Sequence, residues 1–234
     1  MKAIILAGGF ATRLYPITLN TPKPLLEVKN KPIIDWIIEK IKELSIDQII
    51  VVTNHTFYNK FVEWGRNKKV TIIDDGGNSE SLKRGAMGGL FFAIDKEKIN
   101  EDFLVISGDS LFKFSLVEPY NLFKKEDKDL AVFYDVKNIK EAKRLGVALI
   151  KNNLLIDFQE KPDEPKSTLC FTTVCFHKKE TIPYLKEFVK THLDQPGRFL
   201  QYLYQKVPVL GFVTKKEYVD IGTIEALERA KKDF

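Results

Sequence analysis

The chain has 234 residues, 44% of them hydrophobic and 29% charged, with a formal net charge of +5. That length is enough for one large α/β domain over residues 1–234, and the composition is that of a globular protein, not a disordered or fibrous one. No apolar run approaches the roughly 20 residues of a membrane span, and the positive charge lies in mixed runs such as Lys124-Lys125-Glu126-Asp127-Lys128-Asp129; such runs read as solvated helix ends, so neither a membrane nor a nucleic acid is expected as a partner.

Lys2 to Leu6 reads as a core strand. With Met1 it superficially resembles a secretion signal, but the run is short and ends in Gly8-Gly9 and Arg13, so a cytoplasmic location is expected. Pro32 opens a helix in which Ile34, Ile37, Ile38, Ile41 and Leu44 make an apolar stripe of helical period. Gln48 to Thr53 and Val70 to Asp74 read as strands, Gly85 to Ile94 as a helix, and Phe103 to Ser107 as a buried strand ending in Gly108-Asp109-Ser110. This alternation predicts a Rossmann-like α/β fold with a mixed, mostly parallel sheet flanked by helices. The second half is more antiparallel: strands are expected over Leu130 to Val136, Gly146 to Ile150, Leu154 to Gln159 and Thr168 to Phe176. An amphipathic helix follows over Glu180 to Val189, then short strands at Val209 to Val213 and Tyr218 to Ile221, and a closing helix from Thr223 to Lys232.

Cys170 and Cys175 stand at odd spacing in one predicted strand, so they face opposite ways and cannot bridge. His55, His177 and His192 are scattered and read as surface or loop residues, and with no C-x-x-C pair a zinc site is not expected. Trp36 and Trp64 read as packing residues.

The chemistry is concentrated at strand ends. Ala7-Gly8-Gly9 exposes backbone N–H groups that can surround an anion, and Arg13 and Lys23, within Thr12-Arg13-Leu14 and Pro22-Lys23-Pro24, add fixed positive charge. This reads as a nucleotide site at the carboxyl end of the first strand. Asp109 and Asp220, each just after an apolar stretch, suit a hard divalent cation, because Mg²⁺ takes one or two carboxylates plus substrate phosphates. The plainer alternatives are that Asp109 caps a turn and Asp220 caps the last helix. In Glu160-Lys161-Pro162 the Lys can neutralise a phosphate and the Glu can accept from sugar hydroxyls, or the segment is a surface turn.

Taken in order, Leu6-Ala7-Gly8-Gly9, Thr12-Arg13-Leu14, Pro22-Lys23-Pro24-Leu25, Gly108-Asp109, Glu160-Lys161-Pro162 and Asp220-Ile221-Gly222-Thr223 resemble the sugar-1-phosphate nucleotidyltransferase family over nearly the whole chain. The resemblance implies the nucleotide-diphospho-sugar transferase fold and the reaction NTP plus sugar 1-phosphate giving NDP-sugar plus pyrophosphate. It implies Arg13, Lys23, Asp109 and Lys161 as catalytic residues, and Leu6, Ala7, Gly8, Gly9, Thr12, Arg13, Lys23 and Gly85 around the nucleotide. Gly146, Glu160, Lys161 and Thr173 would meet the sugar phosphate, and Asp109 and Asp220 would hold Mg²⁺.

Two positions depart from the family's pattern. The loop from Asp74 to Gly85, implied to read the base edge, lacks the Gln that members often carry, and Phe10-Ala11 stands where many have a glycine before Thr-Arg. With 12 residues after Gly222, the short form without a C-terminal left-handed β-helix is expected. Two other readings stay open. One keeps the mechanism with inositol 1-phosphate or another phosphorylated alcohol as acceptor. The other is a catalytically silent regulatory subunit that binds nucleotide sugars. Family members form dimers and tetramers, and no apolar stripe in this chain decides between monomer and homo-oligomer.

Overall fold

The computed structural model describes residues 1–234, the side chain of Asp233 excepted. The chain begins with β1 (Lys2–Leu6), whose Ala3 and Ile5 join the apolar cluster on one side of the sheet and Ile4 the cluster on the other. A parallel strand covered on both faces needs a continuous apolar run, which Ala3-Ile4-Ile5-Leu6 supplies. β2 (Glu27–Val28) and β3 (Lys31–Pro32) form a short hairpin leading into α1 (Ile33–Ile41), where Ile33, Ile34, Ile37, Ile38 and Ile41 are the buried stripe. β4 (Gln48–Thr53), α2 (Tyr58–Gly65), β5 (Val70–Asp74), α3 (Ala86–Lys96) and β6 (Phe103–Ser107) complete the first half.

β7 (Ser110–Phe112) leaves the main sheet directly after β6. There follow α4 (Val117–Glu126), β8 (Asp129–Asp135), α5 (Ile139–Ala142), β9 (Gly146–Lys151), β10 (Leu154–Glu160) and β11 (Leu169–His177). The chain ends with α6 (Ile182–Phe188), α7 (Pro196–Leu203), β12 (Val209–Thr214), β13 (Tyr218–Asp220) and α8 (Ile224–Asp233).

Nine strands make one sheet in the order β5-β4-β1-β6-β11-β8-β12-β10-β9. β5, β4, β1 and β6 run parallel. β11 enters antiparallel to β6 and β8, β12 lies parallel to β8, and β9 and β10 pair antiparallel at the far edge. The sheet is therefore parallel in one half and mixed in the other. Leu90, Ile94, Leu185, Phe199 and Leu203 pack α3, α6 and α7 on one face, and Ile37, Phe61, Phe123 and Leu227 pack α1, α2, α4 and α8 on the other. Among the described residues no helix is long and apolar enough to cross a membrane.

Cys170 and Cys175 are buried, unbridged and in separate apolar clusters; burial pushes the Cys170 thiol up to about 12, which leaves it inert. Trp36 and Trp64 pack against the core, their indole N–H groups donating to the Val28 carbonyl and to Asp35. His177 departs from expectation. It is buried in β11 with its Nδ1 2.8 Å from Asp129 Oδ1, where the Thr181 hydroxyl also donates.

Candidate active site

β1 lies between β4 and β6, so the strand order reverses at its carboxyl end, the place where open α/β sheets bind ligands. There the chain turns through Ala7-Gly8-Gly9. The Ala7 N–H donates to the Val52 carbonyl (2.7 Å), the Gly108 N–H to that of Leu6 (2.8 Å), and Asn54 Nδ2 to that of Gly8 (3.0 Å), tying the turn to both neighbouring strands. Ala11 is left-handed (φ +50°, ψ +43°) and opens a tight turn over Thr12–Leu14; its carbonyl accepts from the Leu14 N–H and the Thr18 hydroxyl, at 2.9 Å each.

A cavity of about 310 Å³ opens at this rim. Every residue expected at the nucleotide lines it: Leu6 to Gly9, Thr12, Arg13, Lys23 and Gly85, with Asp109 beside them. Gly85 is required where it stands. Its φ of +76° with ψ 161° lies in a region kept essentially for glycine, and a Cβ there would run into the Leu193 carbonyl.

Lys23, 6% exposed, reaches Asp109 Oδ2 at 2.8 Å and Asp220 Oδ1 at 3.6 Å. Neither carboxylate is a helix or turn cap. Asp109 accepts from Lys23 and from the Ser107 hydroxyl (2.7 Å), while the closing helix is capped by Thr223, whose hydroxyl oxygen accepts from the Ala226 N–H. Asp220 is set beside Asp109 by the antiparallel pairing of β13 with β7, which faces Asp220 with Ser110. Burial alone would push the Asp109 carboxyl up, but Lys23 and Ser107 hold it below its ordinary value. Asp220 goes the other way: burial and the Asp109 charge outweigh Lys23 and Arg13 and raise it. Two neighbouring carboxylates sharing one ammonium form a concentrated acidic pair. Among the described residues no cluster of three or more His, Cys, Asp or Glu could hold a metal by itself. A pair of oxygen donors that needs phosphate oxygens to complete its shell is nevertheless the donor set Mg²⁺ accepts.

The residues expected at the sugar lie outside this cavity. Gly146 and Glu160 are register partners where β9 meets β10, and the Lys161 N–H donates to the Leu145 carbonyl (3.1 Å). A Cβ on Gly146 would strike the Phe158 ring and stand 2.9 Å from Glu160 Oε2, so this position lets the carboxylate approach the backbone. Burial raises the Glu160 carboxyl above its ordinary value, against the pull of Lys161 and Arg198. Lys161 Nζ is 3.9 Å from Glu160 and faces solvent. Thr173 (φ +58°) sits in a bulge where β11 slips against β8. The bulge is wired to the acidic pair: Tyr218 OH donates to the Thr172 carbonyl (3.0 Å) and bonds Ser110 Oγ (2.8 Å), next to Asp109.

Sequence reasoning left Ser107, Asp194 and Tyr218 unassigned, and placed Asp75 only as one member of the Asp74 to Gly85 loop implied to read the base edge. Asp75 had a signal, its place at the end of a parallel strand. Asp194 had none, because it arrives from the α6–α7 link 108 residues beyond Ala86, whose N–H donates to it.

The nucleotidyl transferase family profile matches residues 2–234. The chain is 30% identical over 230 residues to bifunctional protein GlmU of Methanocaldococcus jannaschii, covering 95% of this chain and 51% of that protein. It is 30% identical to mannose-1-phosphate guanylyltransferase 1 of Arabidopsis thaliana over 69% of this chain and 45% of the other. The chain thus spans about half the length of the curated relatives it matches. A Bacillus anthracis structure described as a glucose-1-phosphate thymidylyltransferase, in complex with sucrose, superposes with a TM-score of 0.79 at 27% identity, covering 99% of this chain and 94% of that one. UDP-glucose pyrophosphorylase complexed with UDP-glucose superposes at 0.80 over 98% of this chain and 96% of its own, at 21% identity, and so speaks for the fold alone. The sheet is that of the nucleotide-diphospho-sugar transferases, and the chain belongs to the sugar-1-phosphate nucleotidyltransferase family.

Proposed function

We propose that this chain transfers a nucleoside monophosphate from an NTP to a sugar 1-phosphate and releases pyrophosphate. The observation that carries the reading is the shared contact of Lys23 with Asp109 and Asp220 at the mouth of the Gly8–Gly9 turn. A buried ammonium against two carboxylates, under a loop of backbone N–H groups, suits a polyphosphate and a divalent cation together. The sugar 1-phosphate acceptor draws support from the Arabidopsis and Bacillus relatives, both named for that substrate class.

An oxygen of the sugar phosphate attacks the α-phosphorus of the NTP, the bond from that phosphorus to the β-phosphate oxygen breaks, and pyrophosphate leaves. The attacking oxygen is already anionic, so no general base is needed and alignment with charge neutralisation suffices. Arg13 and Lys23 hold the triphosphate and offset the charge that builds on it, with Gly8 and Gly9 offering backbone N–H groups and Leu6, Ala7 and Gly85 forming the wall for base and ribose. Lys161 meets the sugar phosphate, and Gly146, Glu160 and Thr173 meet the sugar. Asp109 and Asp220 would hold Mg²⁺, which supplies a Lewis acid for the phosphate oxygens.

The test is pyrophosphate release with Mg²⁺ across CTP, UTP, dTTP, GTP and ATP against several sugar 1-phosphates and inositol 1-phosphate. Turnover in a sugar 1-phosphate cell, abolished by Asp109→Ala, is the expected result. Turnover with inositol 1-phosphate alone, or none anywhere while NTP still binds, would overturn it.

A further inference from the structure

Resting on the nucleotide reading of the cavity, we infer that Asp75 selects the nucleobase, reserving the site for a base with an exocyclic amino group (cytosine, guanine or adenine) against uracil and thymine. Asp75 directly follows β5, its N–H donating to the Thr53 carbonyl (2.8 Å), and its side chain lines the cavity although the residue is only 5% exposed. Oδ1 is committed, accepting from the Gly77 N–H at 2.8 Å. Oδ2 points the other way, 3.0 Å and 3.4 Å from where a Cβ on Gly8 or Gly89 would be, and among the described residues no hydrogen-bond donor reaches it. Gly8 and Gly89 thus leave room for the Asp75 carboxylate beside the turn after β1, and all three residues line the cavity, with one carboxylate oxygen unused there.

The other acidic groups on this wall are occupied. Asp194 accepts from the Ala86 N–H (3.1 Å) and the Gln195 N–H (2.9 Å), and Lys83 pairs with both Glu80 (2.7 Å) and Asp194 (3.2 Å). An ionised carboxylate only accepts hydrogen bonds. Cytosine N4, adenine N6 and guanine N2 each donate from an amino group. Uracil and thymine offer a single N3–H between two carbonyl oxygens, whose lone pairs oppose the carboxylate. A site built to bond one group rejects the analogue that lacks it, because its own buried polar atom is left unpaired.

The experiment measures dissociation constants of CTP, GTP, ATP, UTP and dTTP for the full chain with Mg²⁺ and no sugar phosphate. At least one amino-bearing nucleotide is expected to bind about tenfold to a hundredfold tighter than UTP and dTTP. Asp75→Asn keeps the acceptor for Gly77 and puts an amide NH₂ where Oδ2 stood, so the ratio should fall to near unity or invert. Binding of UTP or dTTP by the unmodified chain as tight as that of the best amino-bearing nucleotide overturns the inference, and so does an unchanged ratio in a folded Asp75→Asn. If thermal melting shows the variant unfolded, the binding order of the unmodified chain decides. Omitting the acceptor separates this inference from the transferase reading: the expected order without turnover on any sugar 1-phosphate sinks that reading alone, and absence of nucleotide binding sinks both.

Discussion

Lys23 and Ala11 show how single residues set the properties of the rim. Lys23 is almost wholly covered, yet it faces Asp109 at 2.8 Å and Asp220 at 3.6 Å. Its compact ammonium can pass from carboxylate to phosphate oxygens without rearranging a fork of donors, which an arginine could not do in the same space. Lys23→Met should lower kcat/KM by about 10²–10³-fold, the range for losing one preorganised donor from a site where charge builds, and Lys23→Arg should not restore it. Steady-state pyrophosphate release checks both; a loss below tenfold would remove Lys23 from the charge-neutralising group. Ala11 is a non-glycine residue held left-handed. That conformation costs an L-residue about 1–2 kcal/mol, while a glycine brings about 0.5–1 kcal/mol of extra chain entropy. The difference predicts that Ala11→Gly stabilises the fold by about 0.5–1 kcal/mol, read from denaturant midpoints.

At the scale of elements, the start of α3 depends on a segment far along the chain. The N–H groups of Met87 and Gly88 donate to the Leu193 carbonyl at 3.0 and 2.9 Å, and that of Ala86 to Asp194. Gly85 makes this docking possible by having no side chain where Leu193 passes. Gly85→Ala should therefore cost about 2–3 kcal/mol of stability through its backbone conformation and the clash together, and it should weaken NTP binding, since the same turn lines the cavity. Equilibrium unfolding and nucleotide titration test the two effects separately. The elements that were legible in the sequence are those whose periodicity is set by burial on a regular surface, such as β1, β4, β6 and α1. The ones that escaped are shaped by partners. β7 is three residues long and exists because β13 returns to it. α7 begins at Gln195-Pro196-Gly197, which reads as a turn but places proline at the first helical position. The bulge at Thr172-Thr173 leaves no mark on an apolar run.

For the whole molecule, the two halves of the sheet divide the candidate site. Residues read as nucleotide ligands come from the parallel half and share one cavity, and they were readable because glycines, Arg13 and Lys23 crowd into the first strand's end. Gly146, Glu160 and Lys161 stand on the β9–β10 hairpin at the far edge, and only order along the chain, not local pattern, joined them to the rest. The link between the halves is the bonded run Asp109, Ser110, Tyr218, Thr172, which crosses the seam where β11 lies antiparallel to β6. This division predicts that the two substrates can be weakened independently. Lys161 has a side chain 56% exposed and its ion pair with Glu160 is long, at 3.9 Å, so its removal should leave the unfolding midpoint unchanged. Lys161→Ala should raise KM for the sugar 1-phosphate by about tenfold or more, by removing a charge-assisted contact to phosphate, while the dissociation constant for the NTP stays at its original value. Measuring both constants on one preparation decides the matter: an equal loss of NTP affinity would show Lys161 serving the triphosphate and would undo the assignment of one substrate to each half of the sheet.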